Sequence, residues 1–168
     1  MPKSHPRVDA YGAVDELNSA LGAARAALGK TAAALDAPLA RVQAECFMIG
    51  ALLATPSDQL GKLGAAFEGG LPASAAKRLE GEIDAWDKDL APLKTFILPG
   101  GGAAGAALHV ARSVCRRAER EIVELGESDA LPEGVIAYMN RLSTWLFVAA
   151  RWANKRDQRP ETPWKGLK

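Results

Sequence analysis

Apolar residues recur at intervals of three and four along most of the chain, which is the spacing of amphipathic α-helices. This periodicity predicts five helices, at approximately 6–28, 38–54, 74–90, 103–125 and 132–156. The predicted core stripe of the first helix is Val14, Leu17, Leu21, Ala24 and Leu28, and that of the second is Leu39, Val42, Cys46, Ile49 and Leu53.

No strand alternation or internal repeat interrupts this pattern, so it predicts an all-α fold. We expect a five-helix bundle, with a four-helix up-and-down core plus one extra helix and a ferritin-like general appearance. The third helix is the most polar and is expected to lie outside, while residues 55–71 are expected to form a loop that has room for a helical turn. One domain is predicted over residues 1–168, with a helical core at about 6–156 and an irregular tail at 157–168.

The fourth predicted helix is divided between apolar and charged positions. A wheel at about 100° per residue places Val110, Val114, Ala118, Ile122 and Leu125 on the core face. Four arginines fall within residues 112–120, although like charges one turn apart destabilise a helix. Guanidinium groups suit phosphate or carboxylate oxygens, so the cluster indicates either an anion site or a solvated face neutralised by neighbouring glutamates. The polar side of the wheel carries His109, Arg112, Arg116 and Glu119, flanked by Arg117 and Arg120.

Two further helices carry polar stripes. On the fifth, Met139, Leu142, Leu146, Ala149 and Ala153 are predicted to face the core. A second stripe could serve a nucleotide or could equally be surface, and it contains Asn140, Thr144, Phe147 and Arg151. On the first helix, Asp15 heads a line of small residues that would allow close approach of a helix or flat ligand, and it is a natural partner for Arg112.

Composition excludes several classes of function. The 21 basic and 20 acidic residues among 168 nearly cancel, to a formal charge of +1, so no global field recruits nucleic acid or a membrane surface. The N-terminus lacks the pattern of a signal peptide, and no apolar run is expected to span a bilayer. Cys46 and Cys115 are expected to be reduced core thiols, which together with the missing leader predicts a cytoplasmic location.

Common site chemistries are also absent from the pattern. The chain has only His5 and His109, neither in the Glu-x-x-His spacing of a di-iron bundle, and we predict no metal site built from side chains. No Walker loop occurs, and no Ser-His-Asp or Cys-His set stands out. Catalysis by a protein nucleophile is therefore not expected.

Three segments together resemble the PduO-type ATP:cob(I)alamin adenosyltransferases. Residues 11–19 (YGAVDELNS) resemble the first-helix signature of that family. Residues 96–101 (FILPGG) and the later stretches 107–112 (ALHVAR) and 115–120 (CRRAER) resemble its central signature. Residues 140–147 (NRLSTWLF) resemble the last-helix signature, and the likeness runs in order from about residue 2 to residue 156.

The resemblance implies a homotrimer with active sites between subunits. Arg112 would pair with Asp15 of an adjacent subunit, and Phe96 would press on the lower face of the corrin ring, which makes these three the implied catalytic residues. Phe147 and Trp164 would join Phe96 in binding cobalamin, the latter on a C-terminal segment that closes over the corrinoid. The implied ATP-binding residues are Lys3, Arg116, Glu119 and Asn140.

The implied reaction moves the 5′-deoxyadenosyl group of ATP to the cobalt of cob(I)alamin and releases triphosphate. Cob(I)alamin is itself the nucleophile, so the protein positions C5′ and stabilises the leaving triphosphate together with Mg²⁺. An apolar ring below the cobalt would exclude a lower axial ligand and ease reduction of Co(II). A flavin-dependent reductase and an adenosylcobalamin-dependent enzyme are the implied partners.

Two departures from the family pattern qualify this expectation. The family begins with a threonine- and glycine-rich segment that wraps the ATP phosphates, and this sequence starts at Met1, where that segment should end. A misassigned start would explain this, whereas true loss of the segment would weaken ATP binding severely. Thr144 also replaces the usual aspartate. The alternatives to an active enzyme are a corrinoid-binding or carrier module without ATP chemistry and a structural bundle with a charged surface.

Overall fold

The computed structural model describes residues 5–67 and 70–167, and in them the chain is helical as predicted. Three short 3₁₀ helices, Lys30–Leu35, Ser57–Leu63 and Ala65–Phe67, lie before and after the second α-helix, where the sequence predicted loops. The α-helices are α1 (Pro6–Ala26), α2 (Asp36–Ala54), α3 (Ala73–Asp87), α4 (Ala103–Gly126) and α5 (Val135–Arg156). The all-α fold with five α-helices is therefore confirmed, and the predicted bounds differ by only a few residues.

Helix α1 packs against α2 and α4, α4 packs against α5, and α3 lies along α5. The stripes predicted for α1, α2 and α5 are buried, except that Leu28 is only half-buried. Helix α3 buries only Ala75 and Leu79 fully, in agreement with its predicted peripheral place. Burial of one apolar face on each helix, at about 25 cal/mol per Å² of apolar surface, is the main force that holds the bundle together.

The core face predicted for α4 was wrong at two positions. Val110 is 60% exposed, whereas His109, expected on the polar side, is only 3% exposed. The buried row of α4 instead runs through Leu108, Ala111 and Cys115. Because α1 and α5 cover this helix from two sides, its buried face is wide. A helical wheel that considers hydrophobicity alone therefore assigns residues at the border of that face wrongly.

A polar network attaches the peripheral helix α3 to the core. Glu82 on α3 accepts two hydrogen bonds from Arg41 on α2, both of 2.7 Å, and one of 2.8 Å from the indole Nε1 of Trp145 on α5. The hydroxyl of Tyr138, also on α5, donates to Glu45 on α2 at 2.5 Å. These charge-assisted bonds fix α3 over the space between α2 and α5.

A glycine turn before α4 is fixed by one buried amide. Asn154 on α5 donates from Nδ2 to the carbonyl of Gly100 (2.8 Å), and its Oδ1 accepts from the amide of Gly102 (3.0 Å). Gly101 has φ of +110°, and a Cβ on either Gly101 or Gly105 would overlap the Asn154 side chain. Only glycine therefore permits this close approach.

The C-terminal tail is irregular in its described part, as predicted, and it packs against the segment that precedes this turn. Ile97 and Pro163 form an antiparallel bridge, the amide of Leu98 donates to the Thr162 carbonyl, and the amide of Trp164 donates to the Phe96 carbonyl, both at 2.8 Å. The buried Arg151 anchors the tail through its Nε, 2.5 Å from Glu161 Oε1, and donates to the Ala91 carbonyl at 2.7 Å. The tail is thus held beside the Phe96 segment.

One helical stretch, Lys30–Ala54, has the length and apolar composition of a membrane-spanning helix, with mean hydropathy of 1.3 over its window. No such run was expected from the sequence. Leu39, Val42 and Ile49 in this stretch are fully buried among the other helices. A single helix of this kind is weak evidence for a membrane span, because the core helices of bundles meet the same criterion.

Candidate active site

Arg116, Glu119 and Asn140, three of the four residues expected to bind ATP, meet at the surface between α4 and α5. They line a cavity of about 430 Å³ together with Arg120 and Ser143. The Nδ2 of Asn140 donates to Glu119 Oε1 at 3.2 Å, and Oδ1 of the same amide accepts from Arg141 Nη2 at 2.8 Å. The fourth expected residue, Lys3, lies outside the described residues.

The arginines of α4 lack the neutralising partners that a solvated face would give them. Among the residues that the structure describes, Arg112, Arg116 and Arg120 form no ion pair, and only Arg117 has one, with Glu16 on α1. Three mutually repelling guanidinium groups along two turns are unfavourable without a counter-anion. The arrangement is suited to a polyanion that is not part of the chain.

A larger cavity of about 810 Å³ lies beside the tail, and aromatic side chains from three segments form its walls. The ring of Phe96 is 80% exposed, that of Trp164 is 50% exposed, and Phe147 is half-buried. The full lining is Leu93, Lys94, Thr95, Phe96, Ile97, Pro99, His109, Arg112, Phe147 and Trp164. All three residues predicted to bind cobalamin are therefore brought together in one cavity.

Arg112 connects the two cavities along α4. It lines the aromatic cavity, and Arg116, one turn further along, lines the cationic one. Burial, and then the charge of Arg116, lowers the pKa of Arg112, and its Nε is buried without a partner among the described residues. A guanidinium held in this way favours an incoming negative group over solvent.

His109 lies in the same wall, one turn before Arg112. Burial, followed by the positive charge of Arg112, lowers the pKa of this imidazole, while Glu161 opposes the shift. The ring meets Phe147 edge-on, with 5.9 Å between ring centroids and 61° between planes. The imidazole is therefore kept neutral at physiological pH.

Asp15 and Arg112 are not paired within the chain. Asp15 is exposed in a groove of about 410 Å³ between α1 and α2, next to Phe47, which is 71% exposed. Arg112 lines the aromatic cavity, and no ion pair joins the two among the described residues. Among the described residues no intrachain bridge joins them, and the pairing between subunits that the resemblance implies stays a prediction.

Sequence reasoning overlooked several residues around the cavities. Ser143 lines the cationic cavity beside Arg120, which was predicted to flank the polar side of α4, and the spacing of Ser143 three residues after Asn140 was the available signal. Arg151 was weighed as a nucleotide contact or a surface residue, yet it is 5% exposed and pairs with Glu161. Nothing in the local pattern identified Asn154 or Glu161, because both act through residues distant in sequence.

The two cysteines take no part in either cavity. Both are buried, as expected, and burial raises the pKa of Cys46 to about 12. Burial likewise raises the pKa of Cys115, whose Sγ lies 3.6 Å from the Met139 carbonyl oxygen. Thiols held protonated in this way are inert core groups.

These features match a known class of proteins. A family model described as cobalamin adenosyltransferase matches residues 1–153, and the chain belongs to this family. A corrinoid adenosyltransferase of Bacillus subtilis is 40% identical over 157 residues, which cover 92% of this chain and 78% of that protein. The human corrinoid adenosyltransferase MMAB is 36% identical over 163 residues, 95% of this chain and 64% of that protein.

A solved structure gives the same result. A single-residue variant of a PduO-type ATP:corrinoid adenosyltransferase from Lactobacillus reuteri, complexed with cobalamin and ATP, is 37% identical, with a TM-score of 0.91. The match covers 99% of this chain and 90% of that one. The predicted family, fold class and enzyme class are thereby confirmed.

Proposed function

We propose that this chain transfers the 5′-deoxyadenosyl group of ATP to the cobalt of a reduced corrinoid and releases triphosphate. The observation that carries the proposal is the adjacency, along one face of α4, of a cationic cavity and an aromatic cavity. The first suits a polyphosphate, and the second suits a flat, largely apolar macrocycle. Family membership supports the same reaction.

The chain supplies position and charge, and the substrates supply the bond chemistry. The electron pair of Co(I) forms the Co–C5′ bond as the bond from C5′ to the triphosphate oxygen breaks, and that oxygen leaves with its electron pair. Arg116, which has no ion-pair partner among the described residues, stabilises the charge that develops on the departing triphosphate. Arg112, one turn earlier on α4, helps to shape the wall between the two cavities. The Glu119–Asn140 pair, already joined at 3.2 Å, offers directed polar groups to the nucleotide.

Phe96 has a separate role on the corrinoid side. Its ring is 80% exposed although its backbone carbonyl accepts from the Trp164 amide at 2.8 Å, so the segment is fixed while the ring projects. An apolar ring under the macrocycle leaves no oxygen or nitrogen donor for the lower axial position. Co(II) without that donor is easier to reduce to Co(I), the state that reacts.

Mg²⁺ is proposed to accompany ATP in the reaction. Residues 5–67 and 70–167 contain no group of three or more histidine, cysteine, aspartate or glutamate side chains placed to hold a metal. The ion is proposed to arrive on the triphosphate itself, as Mg²⁺ commonly does. Lys3 is proposed as a further phosphate contact near the start of α1.

A homotrimer is proposed as the working form, with each site between two subunits. The exposed Asp15 and Phe47 share one groove, and neither has a partner there within the described residues of the chain. A neighbouring subunit that brings Arg112 to Asp15 would neutralise both charges and cover Phe47. A cytoplasmic location, a flavin-dependent reductase as electron source and an adenosylcobalamin-dependent enzyme as recipient of the product complete the proposal.

The test is turnover with a matched pair of variants. The purified chain with ATP, Mg²⁺ and chemically reduced cobalamin should form adenosylcobalamin, followed by its absorbance change. Arg116→Ala should lower kcat/KM at least about 100-fold, since a charge-assisted contact to the leaving group is lost. The neighbouring Arg117→Ala should stay within about twofold, because Arg117 is engaged with Glu16 on the surface.

No turnover by the wild-type chain under these conditions would overturn the proposal. Calorimetry then distinguishes the alternatives: cobalamin binding without ATP binding would indicate a carrier module, and binding of neither would indicate a structural bundle. The family comparisons favour neither alternative.

A further inference from the structure

His109 is an unusual residue for the wall of an apolar cavity. It is 3% exposed, and neither ring nitrogen has a hydrogen-bond partner among the residues that the structure describes. Buried polar groups are nearly always paired, and leaving one unpaired costs about 1–3 kcal/mol. An imidazole with both nitrogens unpaired therefore calls for a partner from outside the chain.

Packing alone does not explain the choice of histidine. The aromatic contact of the ring is its edge-on meeting with Phe147, at 5.9 Å between centroids. A phenylalanine at position 109 would give the same aromatic contact, would add apolar burial and would leave no unpaired nitrogen. Histidine is thus the less stable choice for the fold, which points to a role in binding.

The surrounding charges define what kind of group this partner is. Arg112, one turn along α4, and Glu161, on the tail, are the charged groups that act on the imidazole, and burial together with Arg112 keeps it neutral. A neutral imidazole offers one N–H donor and one nitrogen acceptor. A carboxamide has the complementary pair, a carbonyl acceptor and an N–H donor, whereas a phosphate would be drawn to the unpaired guanidinium groups of Arg112 and Arg116.

Carboxamides are the polar groups that a corrinoid carries around its ring. We propose that His109 is a substrate-positioning residue that hydrogen-bonds a peripheral carboxamide of the corrinoid and so sets the rotation of the macrocycle over Phe96. The inference rests on the proposed function. The contact requires the half-buried ring of Phe147, which lies edge-on to the imidazole, to move aside as the macrocycle enters.

The test compares two variants of His109 with wild type. His109→Phe keeps the ring and removes both hydrogen-bonding atoms, while His109→Gln keeps a donor and an acceptor without the ring. With ATP bound, His109→Phe should raise the Kd for cob(II)alamin about five- to tenfold, the effect of one hydrogen bond. His109→Gln should recover most of that affinity, and neither change should alter the Kd for ATP.

A chemical double-mutant cycle provides a readout that a purely structural role would not affect. Cobalamin monocarboxylic acids, each with one peripheral carboxamide hydrolysed, should bind wild type more weakly than cobalamin at one ring position. At that position the ratio of Kd for the acid to Kd for cobalamin should be several-fold smaller in His109→Phe than in wild type. At the other positions the two proteins should give the same ratio.

Unchanged discrimination at every position, or a loss of corrinoid and ATP affinity in equal measure, would overturn the inference. If His109→Phe does not fold, the cycle is run with His109→Leu, which also removes both hydrogen-bonding atoms and is compared with His109→Gln in the same way. The wild-type turnover assay is independent of these outcomes. Active wild type with no coupling refutes the role of His109 alone, and inactive wild type refutes the proposed function.

Discussion

At the scale of single residues, the side chains that matter most here are those whose placement is unfavourable for the fold. Phe96 exposes an aromatic ring, Arg112 and Arg116 repel each other without carboxylate partners in the described chain, and His109 buries two unpaired nitrogens. The repulsion and the unpaired nitrogens lower the stability of the isolated bundle, and the exposed ring of Phe96 adds little to it. Each arrangement becomes favourable when a polyphosphate or a corrinoid fills the neighbouring cavity, so binding and stability are opposed at these positions.

Phe96→Ala should separate stability from activity. The ring is 80% exposed, so its loss should change the free energy of unfolding by less than about 0.5 kcal/mol. Adenosylation that starts from cob(II)alamin should fall at least about tenfold, because the lower face of the macrocycle is opened to water. Urea unfolding and the absorbance assay measure the two effects. The control is Leu98→Ala, because Leu98 is half-exposed and does not line the cavity. This change should leave activity within about twofold.

The lowered pKa of His109 predicts a stability loss in mild acid. Below the ordinary histidine pKa of about 6.5 the unfolded chain takes up a proton at this position while the folded chain does not. The unfolded state then binds more protons, so stability falls as pH decreases from about 6.5 toward the lower folded pKa, by at most about 1.4 kcal/mol per pH unit. Above about pH 6.5 both states are neutral at His109, and the effect vanishes.

His109→Phe should therefore flatten the acid side of the stability profile. Urea unfolding between about pH 5 and about pH 8 should show a smaller decrease in the variant than in wild type, with the two curves parallel above about pH 7. Curves that stay parallel down to the acid end of this range would show that the imidazole titrates alike in both states.

At the scale of elements, the glycine turn before α4 determines where the Phe96 segment lies. Asn154 on α5 holds the turn through Gly100 and Gly102, and the tail continues the arrangement through the Ile97–Pro163 bridge. A change in the packing of α4 on α5 near Asn154 therefore moves the wall of the aromatic cavity.

Gly105→Ala should disrupt this arrangement. The added Cβ would overlap the Asn154 side chain, which is buried and bonded and cannot move without losing its hydrogen bonds. We expect a loss of about 1–3 kcal/mol in the free energy of unfolding, measured in urea. Gly81→Ala on α3 is the matched control, since nothing lies within 4 Å of its new Cβ, and it should be neutral or stabilising by up to about 1 kcal/mol. Equal effects of the two changes would contradict the role given to Asn154.

Much of the element structure could be predicted because helical periodicity is a local property. The stripes of α1, α2 and α5 followed from spacing alone, and the cluster of arginines on α4 identified the candidate anion site. What could not be predicted depends on contacts between distant segments. The role of Arg151 depends on its ion pair with Glu161, which lies on the tail. The burial of His109 depends on α5 and the tail, which cover α4. Family resemblance, and not periodicity, supplied the roles of Phe96 and Trp164.

At the scale of the whole molecule, the surface carries charged and aromatic residues that have no partner among the described residues. The groove between α1 and α2 combines the exposed ring of Phe47 with the unpaired carboxylate of Asp15, while Arg112 lies unpaired on a different face. Neither charge has a partner in the described residues. A second copy of the chain could pair its Arg112 face with the Asp15 face of the first, which is a heterologous contact. Three copies related by a threefold axis would close such a contact into a ring.

Asp15→Asn should therefore impair assembly and activity together while leaving the subunit fold intact. Removing one charge of a desolvated interface pair leaves the other unpaired and costs about 2–5 kcal/mol at the interface. For the proposed homotrimer, sedimentation should show a shift toward monomer, and kcat/KM should fall at least about tenfold. Glu16→Gln is the control at the next position, because Glu16 pairs with Arg117 of its own chain on the surface and should have little effect. The double variant Asp15→Arg/Arg112→Asp restores the complementarity of charge and should recover assembly in the same sedimentation experiment. A trimer that persists in Asp15→Asn with unchanged kinetics would show that the two residues do not meet.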